Sequence, residues 1–198
     1  CARSGEIGYH KLMDIFAHGL WAAAAAKSAR SSRGKRVNVW TTALWGIFPD
    51  LFAFTIPFVW MILGISFGGL NMEDIRAHHD PMSEPVATNG SWTIGLVGAL
   101  YNISHSLVIF FFVFSIIWFV FRRPVWEMGG WLLHILIDVP THTYQFFPTP
   151  VFWPLFDWKF SGFSWGTPWF MILNYSLLAL TFWFFARRRN RENIDKKV

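Results

Sequence analysis

Three long, mainly apolar runs limit what this 198-residue chain can fold into. They extend from about Trp40 to Leu70, from about Trp92 to Phe121 and from about Ser164 to Ala186. Each reaches the roughly 20 residues that a helix needs to cross a bilayer. With 22 Phe and 13 Trp against 15% charged residues, the chain has more apolar surface than a soluble domain of this length conceals. The same balance excludes disorder, which goes with few aromatics and much charge. Cys1 is the single cysteine, so a disulfide-stapled secreted domain is excluded as well. The expected architecture is all-α: an integral membrane helical bundle of about five to six helices. Residues 1–186 form one membrane-embedded domain and 187–198 a basic cytoplasmic tail, with no internal repeat.

Two further helices complete the expected bundle. Tyr9–Ala29 contains an alanine-rich run that favours helix, with Lys11, Asp14 and His18 on one side of its first half. It either enters the membrane or lies along its surface. Trp126–Val139 is apolar but short for a span, and it carries His134 and Asp138. Orientation follows from charge. Lys27–Arg36, Arg122–Arg123 and Arg187–Arg191 are basic, whereas Asn71–Gly90 is acidic. Basic clusters stay on the cytoplasmic side, which predicts a multi-pass protein of the inner (cytoplasmic) membrane with a cytoplasmic C-terminal tail and an external acidic loop. Phe146–Gly166, rich in Pro, Phe and Trp, is expected to be an interfacial aromatic belt.

A carboxylate at the middle of a spanning helix costs about 2.5–3.5 kcal/mol on insertion scales. The apolar segments nevertheless contain Asp50, Asp138, His105 and His134. At about 1.5 Å per helical residue, Asp50 lies roughly 20 Å from Arg36 and Asp138 about 22 Å from Arg123. On the same scale His134 is roughly 16 Å from Arg123, His105 about 25 Å from Arg122 and His18 about 14 Å from Lys27. Separate segments thus bring ionisable groups to one belt. His134 and Asp138, at i and i+4, share a helix face, a spacing found in helical metal sites. Imidazole and carboxylate donors together suit zinc and similar divalent ions. Pro49 before Asp50 leaves a carbonyl free one turn earlier. Pro140 ends or kinks its helix, turning His142 either back toward the site or outward. Tyr101, Asn102, His105 and Ser106 form a polar stripe on the second run.

Each signal has a plainer reading. The His134–Asp138 pair also fits a structural hydrogen bond, His105 a bond to a carbonyl of a neighbouring helix, and Asp14 with His18 the wet face of an interfacial helix. His78, His79 and Asp80 read as a solvated loop, and His10 as surface. Asp50 fits a plain reading least, because an unpaired intramembrane carboxylate is expensive.

The ordered elements His18, Phe48-Pro49-Asp50, Ser104-His105-Ser106 and His134-Ile-Leu-Ile-Asp138 with Thr141 resemble the prokaryotic membrane-bound metal-dependent hydrolases of the YdjM-like family. Trp153 to Ser161 is similar to the segment that follows the last ligand helix there, and the ligand order is similar to that of zinc-dependent phospholipase C. The resemblance implies a divalent metal centre, zinc being the expected ion, ligated by His18, Asp50, His105, His134 and Asp138. It also implies hydrolysis of a phosphoester or phospholipid. Asp50 and Asp138 are then the catalytic carboxylates, Asp50 also taking a water's proton. Tyr101, Asn102 and Ser104 become substrate or supporting contacts. One position departs from the family: its arginine four residues before the histidine is Tyr101 here, which removes a clamp for phosphate or carboxylate. The alternatives are a non-catalytic metal-binding membrane protein and an intramembrane His/Asp ion or proton transporter. Membrane lipid is the expected partner; neither nucleic acid nor a protein partner is expected.

Overall fold

The computed structural model describes residues 15–33, 37–68, 92–144 and 147–195. They form six α-helices and one 3-10 turn, with no β-strand among the described residues. The helices are α1 (Ile15–Arg33), α2 (Val39–Ser66), α3 (Trp92–Ser104), α4 (Leu107–Phe121), α5 (Gly129–Thr141) and α6 (Pro168–Asp195), and the turn Trp126–Met128 precedes α5. The all-helical expectation is met. Residues 9–14, with His10, and the acidic segment 71–90, with its His78-His79-Asp80, lie outside the described residues.

Helix α2 is the hub, packed against α1, α3 and α5. Asn38 starts it: Oδ1 accepts from the Trp40 and Thr41 amides at 3.0 and 3.2 Å, satisfying two of the donors that a helix start leaves open. The Asn38 amide donates in turn to Glu127 Oε1 at 3.1 Å, fixing the start of α2 to the turn before α5. Small residues then let the backbones close in. Ala22, Ala24 and Ala26 of α1 are buried. A Cβ on Gly46 would lie 2.6 Å from that of Ala22, and one on Gly130 would collide with the Thr42 carbonyl oxygen. The alanine run is therefore a packing face as well as a helix former.

Aromatic side chains fill the space beyond these close approaches. Phe110, Met128, Trp131 and Ile135 form one core, with Trp45 and Phe48 packed on it. Trp131 stacks on Trp45 at 5.9 Å between centroids and donates its indole N–H to the Ser104 carbonyl at 2.6 Å. Ala53, Phe54, Val97 and Tyr101 form a second core between α2 and α3.

Two helices, α2 and α6, are long and apolar enough to cross a membrane, and a third crossing arises if α3 and α4 count as one span. The sequence reads 92–121 as one continuous stretch, but it is broken. The two halves meet at 60° around residues 104–107. Ser106 explains the break, since its hydroxyl caps the Val108 and Ile109 amides and so starts a new helix. The Leu107 amide, left without a helical partner, donates to the Val151 carbonyl at 2.9 Å.

That contact revises the reading of 146–166 as an interfacial belt. Phe152, Leu155, Phe156, Trp158 and Phe160 are exposed, as a belt requires, but Thr149, Pro150 and Val151 are buried against the break. The later part of the segment returns to the end of α5. The amides of Gly162, Phe163 and Trp165 donate to the carbonyls of His142, Pro140 and Thr141 at 2.8–3.1 Å. Gly162 is required there, because a Cβ would strike the Pro140 carbonyl. The basic stretch that begins at Arg187 continues α6 as far as Asp195 rather than leaving the helix.

Candidate metal centre

The close packing of α1, α2 and α5 brings together side chains that the sequence separates by more than a hundred residues. His18, Asp50, His105, His134 and Asp138 all meet in one cluster. Four of them have almost no exposed side-chain surface, and His18 keeps 13%.

Asp138 is the centre of the cluster. His18 Nε2 lies 3.2 Å from its Oδ1, whereas His134 Nε2 and His105 Nε2 lie 3.1 and 3.3 Å from its Oδ2. Asp50 Oδ1 stands 3.5 Å from His105 Nε2 and 3.6 Å from His134 Nε2. Among the described residues no lysine or arginine pairs with either carboxylate. Neither oxygen of Asp138 receives a hydrogen bond of acceptable geometry.

The outer nitrogens of the rings fix what the inner ones offer. His134 Nδ1 lies 2.7 Å from the Gly46 carbonyl, next to the one that Pro49 leaves free. A carbonyl only accepts, so Nδ1 carries the hydrogen and Nε2 of the neutral ring carries a lone pair. His105 is held the same way: its Nδ1 lies 3.2 Å from the Tyr101 carbonyl of its own helix and 2.9 Å from Ser104 Oγ. Ser104 donates its own hydrogen to the Leu100 carbonyl, which leaves its oxygen as an acceptor. The plainer reading of His105, a bond to a carbonyl of a neighbouring helix, is not met: the carbonyl belongs to the turn just before it, and Nε2 faces the cluster. The two Nε2 atoms are 3.1 Å apart and face the same carboxylate. Acceptors gathered without a donor are stable only around a cation, either a proton or a metal ion.

The donor set passes this test for a metal. His18, Asp50 and His134 form one group suited to hold an ion, and His105, His134 and Asp138 a second, with ligand atoms within 4.8 Å of one another in each. Carbonyl anchoring of the far ring nitrogen is the usual support of a ligating histidine. His134 belongs to both groups, and its anchored Nδ1 leaves it one coordinating nitrogen.

The supporting residues fall out unevenly. Tyr101 is 2% exposed, and its ring stacks on His105 at 3.8 Å between centroids. Its hydroxyl donates to the Phe147 carbonyl at 2.8 Å and accepts from His142 Nδ1 at 3.1 Å. Ser104 touches His105, as above. Asn102 is half-buried, and none of the cluster's hydrogen bonds described here runs to it.

His142 joins the cluster although the sequence leaves its direction open. Pro140 sits inside the last turn of α5, and the backbone leaves the helix at His142. Its ring turns inward, with Nδ1 3.7 Å from Asp138 Oδ2 and Thr149 Oγ1 3.5 Å away. The signal was present as a third member of the i, i+4 series His134, Asp138, His142. Asn174, a lone amide in the apolar α6, is another residue the sequence reading passed over. Its Oδ1 accepts from the Trp21 indole at 2.8 Å. His18, Asp50, Thr141, His142, Trp21 and Asn174 all border a cavity of about 30 Å³ beside the cluster, room for about two waters.

No protein-family model, curated protein or solved structure matches this chain.

Proposed function

We propose that the chain is a membrane-embedded, metal-dependent hydrolase of phosphoesters, acting on a membrane lipid and using zinc. The observation that carries this reading is the convergence of His18, Asp50, His105, His134 and Asp138 on one donor-poor cluster. At least three imidazoles with two carboxylates favour zinc over magnesium or calcium, which take oxygen ligands. A divalent ion held there supplies charge neutralisation at a phosphoryl oxygen and acidifies a nearby water. Asp50 borders both the cluster and the adjoining cavity, where its carboxylate can take that water's proton. Asp138 holds the rings of His18, His105 and His134 around one carboxylate. The bundle's long apolar helices agree with a lipid substrate, and the likeness to YdjM-like hydrolases supports the reaction class.

Tyr101 favours a second reading, that of a metal-binding membrane protein without turnover. The hydroxyl is committed to Phe147 and His142, and no cation stands at this position to hold a phosphate.

The test is metal analysis of detergent-purified protein, wild type against His134→Ala and Asp50→Asn, followed by a screen of phosphomonoesters and phospholipids. Stoichiometric zinc with turnover supports the hydrolase. Zinc without turnover selects the second reading, and absence of metal overturns both.

A further inference from the structure

Close packing borders the cluster on several sides. Tyr101 stacks on His105, Gly46 abuts α1, and Trp45 stacks on Trp131 at the α2–α5 contact. The side toward α1 and α6 differs. His18, the least buried member, lies there, and so does the cavity that Trp21 and Asn174 border. Helix α6 is also the most loosely held element beside the site. Leu178 is its one buried residue among those described. Among the side-chain contacts joining it to α1 are the Trp21–Asn174 hydrogen bond and Lys27, whose ammonium lies 5.0 Å from the Phe182 ring centroid.

We infer that the seam between α1 and α6 is the side entrance to the centre. The cavity behind it seats the phosphate group of a membrane phospholipid, and the Trp21–Asn174 hydrogen bond is the clasp. This inference rests on the metal-dependent reading above and adds to it the route and the gate residues. The cavity as it stands, about 30 Å³, is small for a phosphate group, so α6 shifts as the lipid headgroup enters. Lipid reaches the seam directly, because the faces of α6 flanking Asn174 carry exposed Ile172, Leu173 and Leu177. Once α6 yields, the phosphate meets His18, Asp50 and His142 on the inner wall, with Thr141 and Asn174 as hydrogen-bonding groups beside them. Asn174 and Trp21 act as positioning residues for entry, outside the metal cluster itself.

The experiment uses the full chain in lipid nanodiscs on a Cys1→Ser background. Trp21→Cys and Asn174→Cys are joined by a short bis-methanethiosulfonate linker that reductant cleaves. The probe is a non-hydrolysable phosphonate analogue of a dioleoyl phospholipid, with zinc content measured on the same samples. The expected result is lipid association slowed at least about tenfold by the linker, restored on reduction, with zinc unchanged. Asn174→Ala, which opens the clasp with no linker, is expected to speed association about threefold. Association unaffected by the linker in zinc-loaded protein overturns the entrance alone, as does failure of the unlinked zinc protein to bind the analogue. Wild-type protein without zinc overturns the metal reading and the entrance with it. If the double-cysteine protein loses its zinc before linking, Asn174→Ala decides, and unchanged association overturns the entrance.

Discussion

His134 hands its Nδ1 hydrogen to the Gly46 carbonyl 2.7 Å away, and this one bond turns its Nε2 toward His105 and Asp138. A glycine on α2 thus sets the direction of a histidine on α5. The same glycine lets α1 approach closely enough to deliver His18. Packing and ligand geometry are therefore coupled, and variants of small residues test both.

Gly130→Ala is expected to destabilise the protein by about 1–3 kcal/mol, the usual range for overpacking. The added methyl collides with the Thr42 carbonyl oxygen. Gly129→Ala is the control. Nothing lies within 4 Å of a Cβ there, so the change is expected to be neutral or to stabilise by up to about 1 kcal/mol. Unfolding curves in mixed micelles compare the two.

Tyr101→Phe removes the hydroxyl that links His142 to the Phe147 carbonyl while keeping the ring stacked on His105. His142 stands 3.7 Å from the ligand Asp138 and is not itself one of the five, so zinc affinity is expected to fall by less than the roughly 10–100-fold that losing a group bonded directly to a ligand costs. Asn102→Ala, whose amide contributes no hydrogen bond described for the cluster, is expected to leave affinity unchanged. Competition titration with a chromogenic chelator measures both.

Ser106→Ala removes the cap of α4 and the serine's bond to the Trp153 carbonyl. A lost cap alone costs about 1 kcal/mol. The bend between α3 and α4 is expected to loosen, and hydrogen exchange at Val108 and Ile109 to rise above that of wild type. Unchanged exchange there would mean that the break is held by the 149–151 segment alone.

Metal removal tests stability. An ion that binds only the folded chain adds about 2.7 kcal/mol when its free concentration is a hundred times Kd. Chelator is therefore expected to lower the unfolding midpoint of wild type and to leave that of His134→Ala unmoved. Equal shifts in both proteins would show that the chelator acts elsewhere.

Much of the site was legible because ionisable residues in apolar runs are costly and therefore conspicuous. Asp50, His105, His134 and Asp138 stand out by that rule, and His18 followed from depth. The i, i+4 spacing of His134 and Asp138 put both on one face, as found. His142 was left open because a proline two residues earlier can send the chain either way, and only the hydrogen bonds from Gly162, Phe163 and Trp165 settle its course. The break between α3 and α4 was hidden for a related reason. Ser104-His105-Ser106 is a polar dip in the apolar run, but a dip of three residues fits an unbroken helix as well as a broken one, and the Leu107–Val151 bond that replaces the helical one comes from a segment far along the chain. Asn174 was passed over because an amide carries no charge, although in an apolar helix it too needs a partner.

The central claim is that the cluster around Asp138 holds a metal through nitrogen and oxygen donors. Zinc-edge X-ray absorption of protein purified from membranes tests it most directly. The account predicts bound zinc with an all nitrogen and oxygen shell near about 2.0–2.1 Å, imidazole scattering beyond it, and loss of the signal in His134→Ala. Wild-type protein without zinc, or a shell containing sulfur, contradicts it.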